Sequence, residues 1–558
     1  MEETDNVHDT QPVLVISTET KGEQPSRRAA LVQLPRRIFL LLLGFGTALL
    51  LIWGLFLLAG EDAAFHQSPL YPEELVRGIT ATLSLLLSSL LVAFILALLL
   101  VAVALFERRI QIEVGRAGLL LRFGSRLLMF ALLTTPVILL ALVVRWLEIA
   151  NIHGASPGPI SPSLLEGLRF PLATLILALL PGLLAAQATT RHFVLSQPRT
   201  SPTATLLALL STLLRQTGGL LSAVTIVEIV FNRPGLGNLL LLSLFHNSSA
   251  LLPVILSLLA LLVLVALLLA ELSEWGARLL APVRKPEETK AQRPYERRLW
   301  IGVAMWLLLI PLGLAAGGLF TEPQYALHQN LQAQDEPPSP AHPLGTDAMG
   351  RDVWARALRG GLSTVRRGSG VAALSLLPGF FLGLLAGVVS RREVWLRESA
   401  ADLLLLPLDA LLFIPLIPGV MALLLLWGES AGPILILATA LLLLPRVARA
   451  SRALWEARAT DRGSGQDLLV GLSALFLGTL FVAFGALTAL EFVGLGPQPP
   501  LPTLGSLLQN GQRAVVTNPQ QVASISIIVA GYSLAFYTGA DALLDAFNTK
   551  RAMAALNH

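Results

Sequence analysis

Arg215, Glu228 and Asp409 are ionisable residues inside or at the rim of long apolar runs. A charge at membrane depth is costly, so such a residue marks a polar pathway or a paired site by default. Arg215 lies deepest. Glu228 follows it by 13 residues, about 20 Å along a helix, which is too far for a direct bond. Glu228 and Asp409 lie near run ends, where side chains can snorkel to the interface. All three are candidates for lining a pathway.

A second group is His342-Pro343-Leu344-Gly345-Thr346-Asp347-Ala348-Met349-Gly350-Arg351-Asp352-Val353. Thr346 or Asp347 suits a helix N-cap. Beyond it Val353, Trp354, Ala357 and Leu358 share one helical face, with Arg351, Arg356 and Arg359 off it. That pattern predicts an amphipathic helix on the outer membrane surface, with Arg351 and Asp352 paired elsewhere. The stretch reads first as a brace for an external vestibule and second as a contact for a solute or its carrier.

A third feature occurs twice. Glu228 is followed by Gly235-Leu236-Gly237, and Glu491 by Gly494-Leu495-Gly496. Paired glycines allow a tight turn at the membrane surface. One such loop is ordinary, whereas two at matching positions argue for internal duplication.

Enzyme chemistry is missing. A phosphate-binding loop needs G-x-x-x-x-G-K-[ST], but the four lysines precede Gly22, Pro286, Ala291 and Arg551. There is no cysteine, and the eight histidines form no H-x-x-x-H pair. No catalytic set, metal site or cofactor is expected.

The elements that carry these residues follow from composition. Hydrophobic residues make up 54% and charged ones 14%, with mean hydropathy +0.69; a soluble domain carries about 25% charge. A soluble enzyme, a disordered chain and a nucleic-acid binder are excluded. The basic balance, 40 Lys+Arg against 36 Asp+Glu, belongs to loops that orient a protein in a bilayer. Candidate apolar spans lie near 38–59, 81–106, 127–147, 170–188, 205–231 and 251–270, then near 299–320, 371–390, 409–427, 431–445, 467–490 and 521–540, the run at 431–445 being short. The fold class is therefore an all-α polytopic membrane protein of about twelve transmembrane helices. The first run begins only near Ile38 with no small-residue cleavage site behind it, so no cleavable signal peptide is expected.

With the N-terminus in the cytoplasm, the cytoplasmic segments hold 29 of the 40 Lys+Arg and the external ones 9. Both termini are expected inside. The charged, proline-bearing stretch 281–298 reads as a cytoplasmic linker. It separates halves at 38–280 and 299–550, flanked by polar tails at 1–37 and 551–558. Even span numbers make the halves parallel repeats about an axis along the membrane normal.

These motifs resemble the permease subunits of the bacterial dipeptide/oligopeptide/nickel ABC importers. The first half resembles the B type, through Val227-Glu228 and Phe231 leading into Pro234-Gly235-Leu236-Gly237. The second resembles the C type more closely, through His342 to Val353, Phe492 to Pro500, and Asp409 to Pro415. The resemblance implies two fused halves of the type I importer fold in the bacterial inner membrane. It also implies ATP-binding cassette ATPase subunits and an extracytoplasmic solute-binding protein as partners, with peptides or a related small solute as cargo. Gly235, Gly237, Gly345, Thr346, Asp347, Gly350, Arg351, Asp352, Gly494 and Gly496 would lie at the external vestibule.

One departure stands out. The family's ATPase-docking loop carries Glu-Ala-Ala, three residues, then Gly. Residues 191–202 contain no such pattern, and their two prolines discourage a helix. Residues 456–463 keep a relic in Glu456, Ala457 and Gly463, with the second alanine replaced and the glycine one place late. The first reading is thus a fused importer permease. The second is a degenerate permease serving as a non-transporting membrane scaffold or partner subunit. A weaker third, an ion-coupled transporter, would want more acidic residues at mid-span.

Overall fold

The computed structural model describes residues 27–58, 72–110, 174–175, 177–178, 202–245, 251–280, 294–390, 395–427, 431–461, 465–513 and 519–546. In the first half these form α1 (Arg27–Leu58), α2 (Pro72–Ile110), α3 (Pro202–Leu214), α4 (Thr217–Val230), α5 (Leu236–Phe245) and α6 (Leu252–Leu280). The second half begins with α7 (Pro294–Phe320), the short α8 (Pro323–Leu327), α9 (Val353–Ser390) and α10 (Trp395–Ala410). It continues with α11 (Leu416–Trp427), α12 (Ala431–Asp461), α13 (Gly465–Phe492), α14 (Leu504–Arg513) and α15 (Pro519–Ala546). Among the described residues the only β feature is the bridge between Thr346 and Asp352.

Eight helices, α1, α2, α6, α7, α9, α12, α13 and α15, are long and apolar enough to cross a bilayer. Counting two bent pairs raises the number to ten. The expected runs at 127–147 and most of 170–188 lie outside the described residues. The eight crossing helices carry large apolar side chains on their outer surface: Leu57 and Ile527 are 78% and 73% exposed. Prolines open α2, α3, α7 and α15 where a missing N–H is no loss, and Glu73 and Glu74 favour the positive end of α2.

The bent pairs have local causes. α3 and α4 meet at 52°, around Arg215 and Gln216. α10 and α11 meet at 90° through a 3-10 turn at Leu411–Phe413. Ile414 precedes Pro415, and the proline ring pushes it into extended backbone (φ −90°, ψ 116°), which ends the helix.

One hydrophobic core runs through both halves, joining Ile52, Leu85, Val227 and Leu256 to Val371, Met421, Phe484 and Tyr532. Within the second half α9 packs tightly on α12 through glycines spaced by four. A Cβ on Gly379, Gly383 or Gly387 would come within 2.8 Å of Val447, 2.3 Å of Ala448 O or 2.7 Å of Trp455. Small residues at this spacing let helix backbones approach in lipid.

Two expectations are corrected. The surface helix beyond residue 352 is the first part of α9, which runs unbroken for 38 residues. Its arginines do not hold it at the surface, because Arg356 is buried 3.4 Å from Asp347. The N-cap is neither Thr346 nor Asp347 but Asp352, whose Oδ1 accepts from Ala355 N at 3.0 Å. Beyond the run at 431–445, α12 continues to Asp461, and Arg449 and Arg452 turn towards carboxylates on neighbouring helices.

Candidate functional site

Residues 321–352 form a knot at the end of the molecule where α9 begins. Thr346 is fully buried; its hydroxyl donates to Ala333 O at 2.5 Å and accepts from Glu336 N at 2.9 Å. Asp347 accepts from Met349 N, Arg351 N and Arg351 Nε at 2.9, 3.0 and 2.8 Å. Asp352 lies 3.0 Å from His342 Nδ1. Gly345 and Gly350 have φ of +75° and +67°, and a Cβ on Gly350 would strike Asn330 O at 1.7 Å. His342, Thr346, Asp347, Arg351 and Asp352 all make side-chain contacts within the knot.

Below it stand two matching carboxylates. Glu228, buried in α4, accepts from Thr82 Oγ1 on α2 at 2.6 Å and from Gly237 N at 2.7 Å. Thr82 Oγ1 accepts in turn from Leu236 N at 2.9 Å. Glu491, buried in α13, accepts from Thr364 Oγ1 on α9 at 3.3 Å and from Gly505 N at 3.4 Å. Thr364 Oγ1 accepts from Leu504 N at 3.3 Å. In both places a Thr–Glu pair fills orphan N–H groups at a helix start, α5 in one half and α14 in the other. Glu228 therefore does not snorkel.

This geometry also revises which glycines match. A Cβ on Gly237 would meet Thr225 Cα at 2.7 Å, and one on Gly505 would meet Thr488 O at 2.4 Å. Gly237 thus corresponds to Gly505. Gly494 has φ +97°, a conformation that Gly235 does not share. The reason is a length difference: the bonded pairs lie 9 residues apart in the first half and 14 in the second. The two constellations also differ in charge. Arg367 forms a 2.9 Å ion pair with Glu491. Three residues after Thr82, where Arg367 stands after Thr364, the first half has the buried Leu85.

At the opposite end, where α1 starts and α6 and α12 finish, the halves enclose a cavity of about 500 Å³. Five guanidinium groups and four carboxylates line it. Arg215, at the α3–α4 bend, meets Glu271 at 2.7 Å and is also paired with Glu274. Arg37 of α1 lies 3.0 Å from Glu271. On the other side Arg449 pairs with Asp409 at 2.8 Å and Arg452 with Asp402 at 2.8 Å. Arg36 bridges the halves, 2.7 Å from Asp402.

Arg215 and Asp409 thus both line this cavity, while Glu228 does not. Glu456 is exposed near the end of α12, 2.8 Å from Arg452. Ala457 is helical, and Gly463 lies outside the described residues. Glu271, Glu274, Asp402, Arg446, Arg449 and Arg452 were not legible as site residues. A signal existed: arginines recur every three residues from 446 to 452, which places them on one helical face.

Apolar crossing helices around a charged cavity define a polytopic membrane protein. No family model matches the chain. It is 26% identical over 290 residues to the glutathione transport system permease protein GsiD of Pectobacterium atrosepticum, covering 48% of this chain and 92% of that protein. It is 28% identical over 298 residues to the probable D,D-dipeptide transport system permease protein DdpC of Escherichia coli, covering 46% and 96%. A putative peptide transport system permease protein of Brucella suis is 31% identical over 253 residues, covering 41% and 80%. The chain belongs to the family of bacterial peptide-transport permeases, multi-pass proteins of the inner membrane; these relatives are transport permeases, not enzymes.

Proposed function

We propose that this chain supplies both permease halves of one importer, residues 38–280 and 299–550 joined by 281–298, and passes peptides or a related small solute between them. The observation that carries this reading is the Thr–Glu lock on a helix start, found once in each half. A match that takes up 48% of this chain and 92% of its relative leaves room for a second permease, which supports the same reading. The Lys+Arg distribution supports placing the charged cavity at the cytoplasmic face and the 321–352 knot at the external vestibule. ATP hydrolysis would come from separate ATPase subunits, and cargo from an extracytoplasmic binding protein. Glu456 and Ala457 are the proposed remnant of the docking surface.

A second reading, a non-transporting scaffold or partner subunit, is favoured by one observation. α12 ends at Asp461 and α13 begins at Gly465, which leaves no separate helix between them for an ATPase to grip. Purification in mild detergent with identification of bound partners separates the two. Two ATPases and a binding protein would favour the importer. An unrelated assembly with no ATPase would overturn it in favour of the scaffold.

A further inference from the structure

We propose that Arg446 is a receptor for a carboxylate of the cargo in the cavity between the halves, an inference that rests on the reading of that cavity as the transport path. On α1 and α6 the lining passes from charged to apolar with depth, α1 from Arg37 to Gly44 and α6 from Glu274 back to Val263. On α10 and α12 charge reaches deeper, as Asp409 and Arg446. Arg446 lies ten residues before Glu456 on α12, about 15 Å deeper at 1.5 Å per residue.

Arg446 also differs from its neighbours in pairing. Arg37, Arg215, Arg449 and Arg452 each hold a carboxylate. Arg446, half-buried in the cavity wall, forms no hydrogen bond or ion pair among the described residues. The four carboxylates of the cavity are already committed: Glu271 and Glu274 to Arg37 and Arg215, Asp402 to Arg36 and Arg452, and Asp409 to Arg449. A structural role for Arg446 would need a counter-charge, and none reaches it among the described residues. A guanidinium held at membrane depth without a partner is costly. Its planar fork matches a carboxylate through two parallel hydrogen bonds. The cavity, about 500 Å³, falls in the range that encloses small ligands. A short peptide with a free C-terminal carboxylate fits both the volume and the missing charge.

The chain has no cysteine, so a single Leu406→Cys in the full-length protein reports on the cavity wall alone. The readout is the rate of thiol modification by a small methanethiosulfonate, with trialanine or trialanine amide present at equal concentration. Trialanine is expected to slow labelling about fivefold or more and the amide less than about twofold, since only the acid offers the bidentate partner. Adding Arg446→Gln should remove the difference, and Arg446→Lys should keep part of it while controlling for folding. Equal protection by acid and amide would overturn the role of Arg446 and leave the path reading intact. Protection by neither would overturn both. Stronger protection by glycerol phosphate than by trialanine would assign the site to a lipid headgroup and overturn the cargo assignment.

Discussion

The two carboxylate locks should fail in different ways when cut. Glu491 has long hydrogen bonds, 3.3 and 3.4 Å, and a close cation, Arg367 at 2.9 Å. Glu228 has short bonds, 2.6 and 2.7 Å, and Leu85 in place of the cation. Arg367→Leu strands a fully buried carboxylate, which costs about 3–5 kcal/mol when one partner of a buried pair is removed. Adding Glu491→Gln removes the stranded charge and keeps a side chain that can accept from Thr364 and Gly505. The double variant should therefore recover most of the loss, giving a coupling energy of about 2 kcal/mol or more. In the first half Thr82→Val should cost about 1–3 kcal/mol, because the carboxylate loses its shortest bond. Thr364→Val should cost less, since its bond is long. Detergent-solubilised protein titrated with SDS and followed by tryptophan fluorescence reads these differences. A double variant no more stable than Arg367→Leu would refute the reasoning. So would Thr364→Val costing more than Thr82→Val.

Gly237→Ala and Gly505→Ala should each destabilise by about 1–3 kcal/mol through overpacking, whereas Gly219→Ala, which has open space at its Cβ, should be near neutral in the same titration. Arg36→Ala should shift stability by less than about 1 kcal/mol, because both partners of its bridge to Asp402 are about a third exposed. Reporter fusions after Lys290 and after Gln334 should report opposite sides of the membrane; a shared side would refute the two-half topology. If an ATPase co-purifies, Glu456→Lys should cut its recovery about fivefold, the effect of roughly 1 kcal/mol at an exposed charge. Undiminished recovery would remove Glu456 from the docking surface.

Much of the architecture is legible in the chain because continuous apolar runs leave little choice but helices in a bilayer. The eight unbroken crossings are of this kind. The breaks are less legible. Pro415 predicts an end to helix, but the 90° turn depends on how α11 packs beneath α4 and α5. The site was mostly hidden, and the reason is distance along the chain. Thr82 meets Glu228 across 146 residues, Thr364 meets Glu491 across 127, and Arg36 meets Asp402 across 366. No local pattern encodes such pairs. The matched Gly-Leu-Gly loops pointed to a repeat, yet the five-residue difference between the halves hid that Gly237 corresponds to Gly505. Arg215 stood out in an apolar run, but its partners, Glu271 and Glu274, lie on the next crossing helix.

The continuity of α12 has a mechanical consequence. A 31-residue helix is a rod of about 46 Å, and this one carries Arg446, Arg449 and Arg452 in line with the exposed Glu456. A transverse lever would convert a push from the inner face into a sideways swing. A push on residues 456–461 would instead travel lengthwise. The glycine notches of α9 fix that helix to the rod, so the two would slide together against α10. A slip of three residues, about 4.5 Å, would carry Arg452 to the level that Arg449 holds now. Asp409 would then take Arg452, and Asp402 would keep Arg36. Pro445, one residue before Arg446, removes a backbone hydrogen bond and gives the rod a joint there.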